Sequence, residues 1–126
     1  MTHIGGTASI NASLINNYKL WVEKGVVSED FAIAPTSAWA DFVFGEGYKL
    51  KSLKEVEAYL KANKHLQDIP AQSEVEEKGY SMKKINVGLL KKVEELTLYA
   101  IEQDKKIDQL TAEMAQLKEA IDKLKK

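Results

Sequence analysis

Cysteine is absent from the sequence, which removes disulfide staples and thiolate metal centres from consideration. Arginine is absent as well. All 18 basic residues are lysines, so the forked guanidinium contacts favoured for phosphate, base-edge and carboxylate recognition are missing. With a formal charge of -1 and a pI near 6.1, nucleic acid is not an expected partner. Long apolar runs are lacking too: none approaches the roughly 18 residues of a membrane span. Residues 1–17 have neither the basic start nor the apolar middle of a secretory signal. No membrane span is therefore expected, and assembly is expected in the cytoplasm. Histidine occurs only as His3 and His65, without His-x-x-x-His spacing or an Asp/Asn-rich calcium loop. Neither a metal nor a cofactor is expected.

What remains is a chain of 126 residues, 44% hydrophobic and 29% charged, in the range of soluble folded proteins of one domain at most. Its composition changes along its length. Residues 1–17, MTHIGGTASINASLINN, carry no formal charge and read as a flexible leader or as an attachment segment for a larger particle. Residues 18–80 read as a small head. In YKLWVEKGVVSEDFAIA, Tyr18, Leu20 and Val22 alternate with Lys19, Trp21 and Glu23 before the turn-prone Lys24-Gly25, which predicts a β-hairpin closed by Pro35. Ser52 to Glu55 is a capping box opening a helix from about Leu53 to Ala62. Ser73 to Glu76 is a second box, opening a shorter helical turn ended by Gly79.

Residues 81–126 contain no proline, and Ser81 is the expected N-cap. A heptad places Met82, Leu89, Leu96, Gln103, Leu110, Leu117 and Leu124 at d, with Asn86, Val93, Ala100, Ile107, Met114 and Ile121 at a. The frame runs six heptads without a stutter. A helix of about 45 residues is roughly 67 Å long, against a radius of gyration of about 13 Å for a compact 100-residue domain. It must project, and identical copies are the nearest cover for its apolar stripe. From Ile107 onward, positions outside a and d are charged, polar or alanine, and Glu113 at g can pair with Lys118 at the following e of a parallel neighbour. Between Ile85 and Ile101, by contrast, Ile85, Val87, Leu90, Leu98, Tyr99 and Ile101 lie off the seam and call for a second cover.

The head is the expected cover. In TSAWADFVFGEGY, residues 36–48, the aromatics Trp39, Phe42 and Phe44 are expected to act as pegs packed with Trp21 onto Leu90, Leu98 and Ile101. Gly88, costly inside a helix by about 1 kcal/mol relative to alanine, is expected to permit a close approach. Asn86 and Gln103 are polar seam residues expected to set register. The heptads alone leave dimer and trimer open.

The pieces YKLWVEKGVVSEDFAIA, WADFVF, YKLKSLKEVEAYLKANKHLQDIP, SEVEEKG and LLKKVEELTLYAIEQDKKI together resemble the C-terminal region of tail-fibre-type proteins common in Bacteroidetes and their phages. The resemblance covers about Tyr18 to Leu110 and implies a homotrimeric, fibrous, surface-projecting protein of a virion or extracellular appendage, with host attachment through a receptor or glycan as a second role. Two departures matter. Many such proteins end in a self-cleaving chaperone domain marked by Ser-Asp followed by Arg and Lys; no such motif is present here, so autoproteolysis is not implied. Gln67 stands where the family pattern has a second proline.

The expected fold class is thus α+β and fibrous: a β-hairpin and small helices forming a head on a long, parallel, trimeric coiled coil. Catalysis is not expected. His65, Asp68 and Ser73 are three common residues in one loop, the glycines of Gly45-Glu46-Gly47 lack the strand and helix of a phosphate loop, and Glu76-Glu77 and Glu94-Glu95 read as solvated pairs.

Overall fold

The computed structural model describes residues 2–6, 17–34, 37 and 39–125. The chain is mostly helical. Strands β1 (Thr2–Ile4) and β2 (Leu20–Val22) precede a 3₁₀ turn at Ala40–Phe44 and helices α1 (Leu53–Asn63), α2 (Gln72–Lys78) and α3 (Met82–Leu124). The chain divides into two compact units, Met1–Trp39 with Lys51–Gly88 and Ala40–Leu50 with Leu89–Lys126.

In the first unit the expected hairpin is replaced by a parallel pair, β1 to β2, with Thr2 opposite Leu20, His3 opposite Trp21 and Ile4 opposite Val22. Lys24 at φ 75° and Gly25 at φ 149° do turn the chain as Lys24-Gly25 predicts, but no strand follows among residues 26–34. The leader takes that place: Thr2 donates to the Lys19 carbonyl at 2.6 Å, and Glu23 donates to the Ile4 carbonyl at 2.9 Å. Side chains lock the junction, since the Gly6 N–H donates to the Glu23 carboxylate at 2.5 Å and the Trp21 indole donates to the Gly6 carbonyl at 3.3 Å. Gly5 sits at φ 96°, and a Cβ there would meet the Glu23 Cβ at 2.7 Å. Thr2–Ile4 of the leader are therefore extended and paired, while residues 1 and 7–16 lie outside the described residues.

Helix α1 begins as its sequence requires. The Ser52 hydroxyl accepts from the Glu55 N–H, and the Glu55 carboxylate accepts from the Ser52 N–H at 2.8 Å. Lys64, left-handed at φ 62°, closes the helix by donating to the Leu60 carbonyl at 2.9 Å. In α2 the expected box at Ser73 does not form. Ala71 is the N-cap and makes no side-chain cap, because the helix starts two residues earlier and Gln72 bonds Glu76 at 2.7 Å instead. Gly79, at φ 67°, ends it.

The loop between α1 and α2 is pinned by His65. Its Nδ1 lies 2.9 Å from the Leu66 carbonyl and 2.8 Å from the Ile69 carbonyl. Two acceptors require a proton on Nδ1, so this histidine staples the loop. Tyr59 meets its ring edge-on at 5.8 Å between centroids. Gln67 accepts a hydrogen bond from Lys51. The loop then packs on α3 at Gly88, which is buried and whose absent Cβ would lie 3.0 Å from Ile69 Cδ1 and 3.5 Å from the Asp68 carbonyl.

In the second unit the 3₁₀ turn decides which residues of the aromatic segment are buried within the single chain. At three residues per turn, positions 40 and 43 share a face, and Ala40 and Val43 are the buried ones. Phe42 and Phe44 are 50% and 55% exposed, and Trp39, just before the turn, 48%. The small residues, not the large aromatics, are inside.

Candidate self-association surface

Helix α3 has 43 residues and is about 64 Å long at 1.5 Å per residue. Ser81 caps its start, its hydroxyl accepting from the Lys84 N–H at 3.3 Å. Exposed i,i+4 pairs, Glu102 with Lys106 and Glu119 with Lys123, support the solvent faces. The seam positions behave differently from the rest. Met82, Asn86, Leu89, Val93, Leu96, Ala100, Gln103, Ile107, Leu110, Met114, Leu117, Ile121 and Leu124 are all exposed on the single chain. Leu110, Met114 and Leu117 each leave more than 60% of their surface in water.

The off-seam residues are the covered ones. Ile85, Val87, Leu90, Leu98 and Tyr99 are half-buried, and Trp21 is half-buried against Gly6. Ile101 departs from expectation at 48% exposed. Every described residue from Ala100 onward is exposed, so the bare stretch begins about one heptad earlier than the apolar pattern indicates. Ile101 sits at b, the same heptad position as Val87 and Glu94, two residues beyond the last covered residue, Tyr99.

Within the second unit, polar contacts fasten residues 40–50 to the helix. Tyr48 donates to Glu95 at 2.5 Å, and Lys92 pairs with Glu95 at 2.9 Å in a setting where both side chains are about five-sixths covered. Lys91 lies 5.8 Å over the Phe42 ring, and Phe42 meets Tyr48 at 5.9 Å. Glu94 is the odd member. It is only 7% exposed, and its Oε2 has no hydrogen-bond partner. Burial, and secondarily the Asp41 carboxylate, pushes its pKa above the usual glutamate value. Nothing in Glu94-Glu95 as a sequence pair distinguishes it from a solvated pair; only the fold places it under the 3₁₀ turn.

Among the described residues no group of three or more histidine, aspartate or glutamate side chains could hold a metal ion, and no helix is long and apolar enough to cross a membrane. The His65 Nδ1 faces the carbonyls of Leu66 and Ile69. What the arrangement offers is a continuous apolar ridge along α3, with Asn86 and Gln103 as polar breaks and one complementary g-to-e pair, Glu113 and Lys118. No family model, curated protein or solved structure matches the chain.

Proposed function

We propose that the chain is a structural assembly protein: a parallel homotrimer, joined along the α3 ridge, that forms a fibre or spike on a virion or injection apparatus. The observation that carries the reading is the exposure of all thirteen seam residues beside covered off-seam neighbours. Ala40 and Val43 are the only apolar side chains buried among the described residues, which is too little to constitute a core. Full burial of one large aliphatic side chain is worth about 1.5 to 3 kcal/mol, so the ridge is the largest source of stabilisation still open to the chain. In a parallel arrangement Glu113 faces Lys118, while the g lysines 92 and 106 meet Thr97 and Thr111, so no like charges oppose. Trimer rather than dimer follows from the family resemblance of the segments YKLWVEKGVVSEDFAIA to LLKKVEELTLYAIEQDKKI. Analytical ultracentrifugation tests the reading: three copies are expected at micromolar concentration, and a single copy would refute it.

A second role, recognition of a host receptor or glycan, is favoured by one feature of the first unit. A cavity of about 620 Å³ is lined by Tyr18, His65, Asp68, Glu74, Tyr80 and Lys84 among others, combining aromatic faces with donors and acceptors. Glycan-array binding that is lost in Tyr80→Ala while the oligomer persists would establish it; no signal on the array would remove it.

A further inference from the structure

A smaller cleft in the first unit is lined by Phe31, Ile33, Trp39, Lys83 and Asn86 and measures about 260 Å³. Small-molecule sites run from about 300 to 1,000 Å³, so this one is closer in size to the seat of a single side chain. Its apolar walls are open to water: Phe31 is 59% exposed, Trp39 48% and Ile33 39%. Large aromatics left in that state need a cover.

The identity of the helical residues in the cleft indicates what the cover is. In a parallel coiled coil each knob enters a hole of four residues on the facing helix. A knob at d is received by the d and e residues of its own level and the a residues on either side. For Met82 of a neighbouring copy, the residues of that hole that belong to α3 are Met82, Lys83 and Asn86 of this chain, and the last two line the cleft. Met82 itself is 57% exposed and is the first d residue of α3.

We propose that the cleft is the seat of Met82 from the adjacent copy, with Phe31, Ile33 and Trp39 closing over it. The idea rests on the parallel-assembly reading and goes beyond it by naming the residue and its receptor. A methionine suits the place, because its flexible thioether fills irregular gaps and packs favourably against aromatic rings. The contact joins the head of one copy to the helix of the next. Such a heterologous contact closes on itself only in a ring of copies, and it locks the register at the end of the seam where Asn86 weakens the apolar grip.

The cysteine-free sequence makes the contact mappable. Ile33→Cys and Met82→Cys are placed in separate chains, one enlarged by a mass tag, then refolded together and treated with a short bismaleimide. Leu117→Cys in tagged and untagged chains serves as the seam control. Tagged-to-untagged links are expected in both experiments. A Leu117 link without an Ile33-to-Met82 link overturns the seat while leaving the parallel assembly standing; absence of both overturns both. Fluorescence gives an independent reading. With Trp21→Phe removing the other indole, Trp39 emission is expected to shift to shorter wavelength on assembly, and Ile33→Lys, in the cleft but off the seam, to abolish that shift with the oligomer's mass unchanged. A shift that survives Ile33→Lys overturns the proposal.

Discussion

Replacing Ile107 and Leu110 together by asparagine is the sharpest perturbation of the ridge. Both lie in the bare stretch of α3, 59% and 61% exposed on the single chain, so the substitutions disturb no contact with residues 40–50. Burying the exposed part of each on assembly recovers about 1 to 2 kcal/mol, since full burial of such a side chain is worth about 1.5 to 3 kcal/mol. An asparagine forced into the same seam without a partner adds a penalty of about 1 to 3 kcal/mol. The loss is then about 2 to 5 kcal/mol per site and about 4 to 10 kcal/mol per copy, and with a factor of ten for every 1.4 kcal/mol the association weakens at least about a thousandfold per copy. Sedimentation velocity at micromolar concentration should show the double variant as single chains, with helical circular dichroism melting at lower temperature. As a control, Lys105→Asn with Asp108→Asn, at f and b, should change stability by less than about 0.5 kcal/mol. Unchanged mass and melting in the ridge variant would refute the burial argument.

Three further outcomes follow from local geometry. Gly88→Leu, whose side chain must displace Ile69 and the Asp68 carbonyl at 3.0 and 3.5 Å from the absent Cβ, should destabilise the first unit by about 1 to 3 kcal/mol in urea titration; a neutral result would deny the close approach. Ser52→Ala removes the reciprocal cap of α1 and should cost about 1 kcal/mol, seen as faster amide exchange at the start of that helix. The two shifted carboxylates act in opposite directions with pH. Glu94, raised by burial and by Asp41, favours the folded state fully below its unfolded pKa, and that advantage disappears as pH rises through its raised folded value. Amide protection of residues 40–50 should therefore fall with rising pH in the native chain and stay flat in Glu94→Gln. Glu55, lowered chiefly by its hydrogen bond to the Ser52 backbone, contributes above its unfolded pKa and stops doing so as pH falls through its lowered folded value, so α1 should fray in acid. A profile for either group with the opposite slope would reject its assignment.

Helices were legible where a local signal coincides with a periodic one. Ser52 and Glu55 satisfy orphan N–H groups whatever the tertiary context, and a seven-residue repeat maintained to Leu124 leaves little alternative to α3. A hairpin is expected where none forms because Leu20 to Val22 shows β character without showing its partner. That partner is three residues of a charge-free leader, Thr2 to Ile4, too short for any period to register. The 3₁₀ turn was hidden for a different reason: its spacing of three places Ala40 and Val43 inward, while hydrophobicity alone directs attention to Trp39 and Phe42. At the candidate surface, the thirteen seam positions come from the heptad by themselves. Glu94 and the extent of cover ending at Tyr99 depend on where residues 40–50 dock, a non-local choice that no window of sequence contains.

The most direct test of the central claim is the molar mass of the intact chain by size-exclusion chromatography with light scattering at micromolar concentration. The account predicts three times the 14.1 kDa chain mass. A value of 14.1 kDa itself, persisting as concentration is raised, would contradict it.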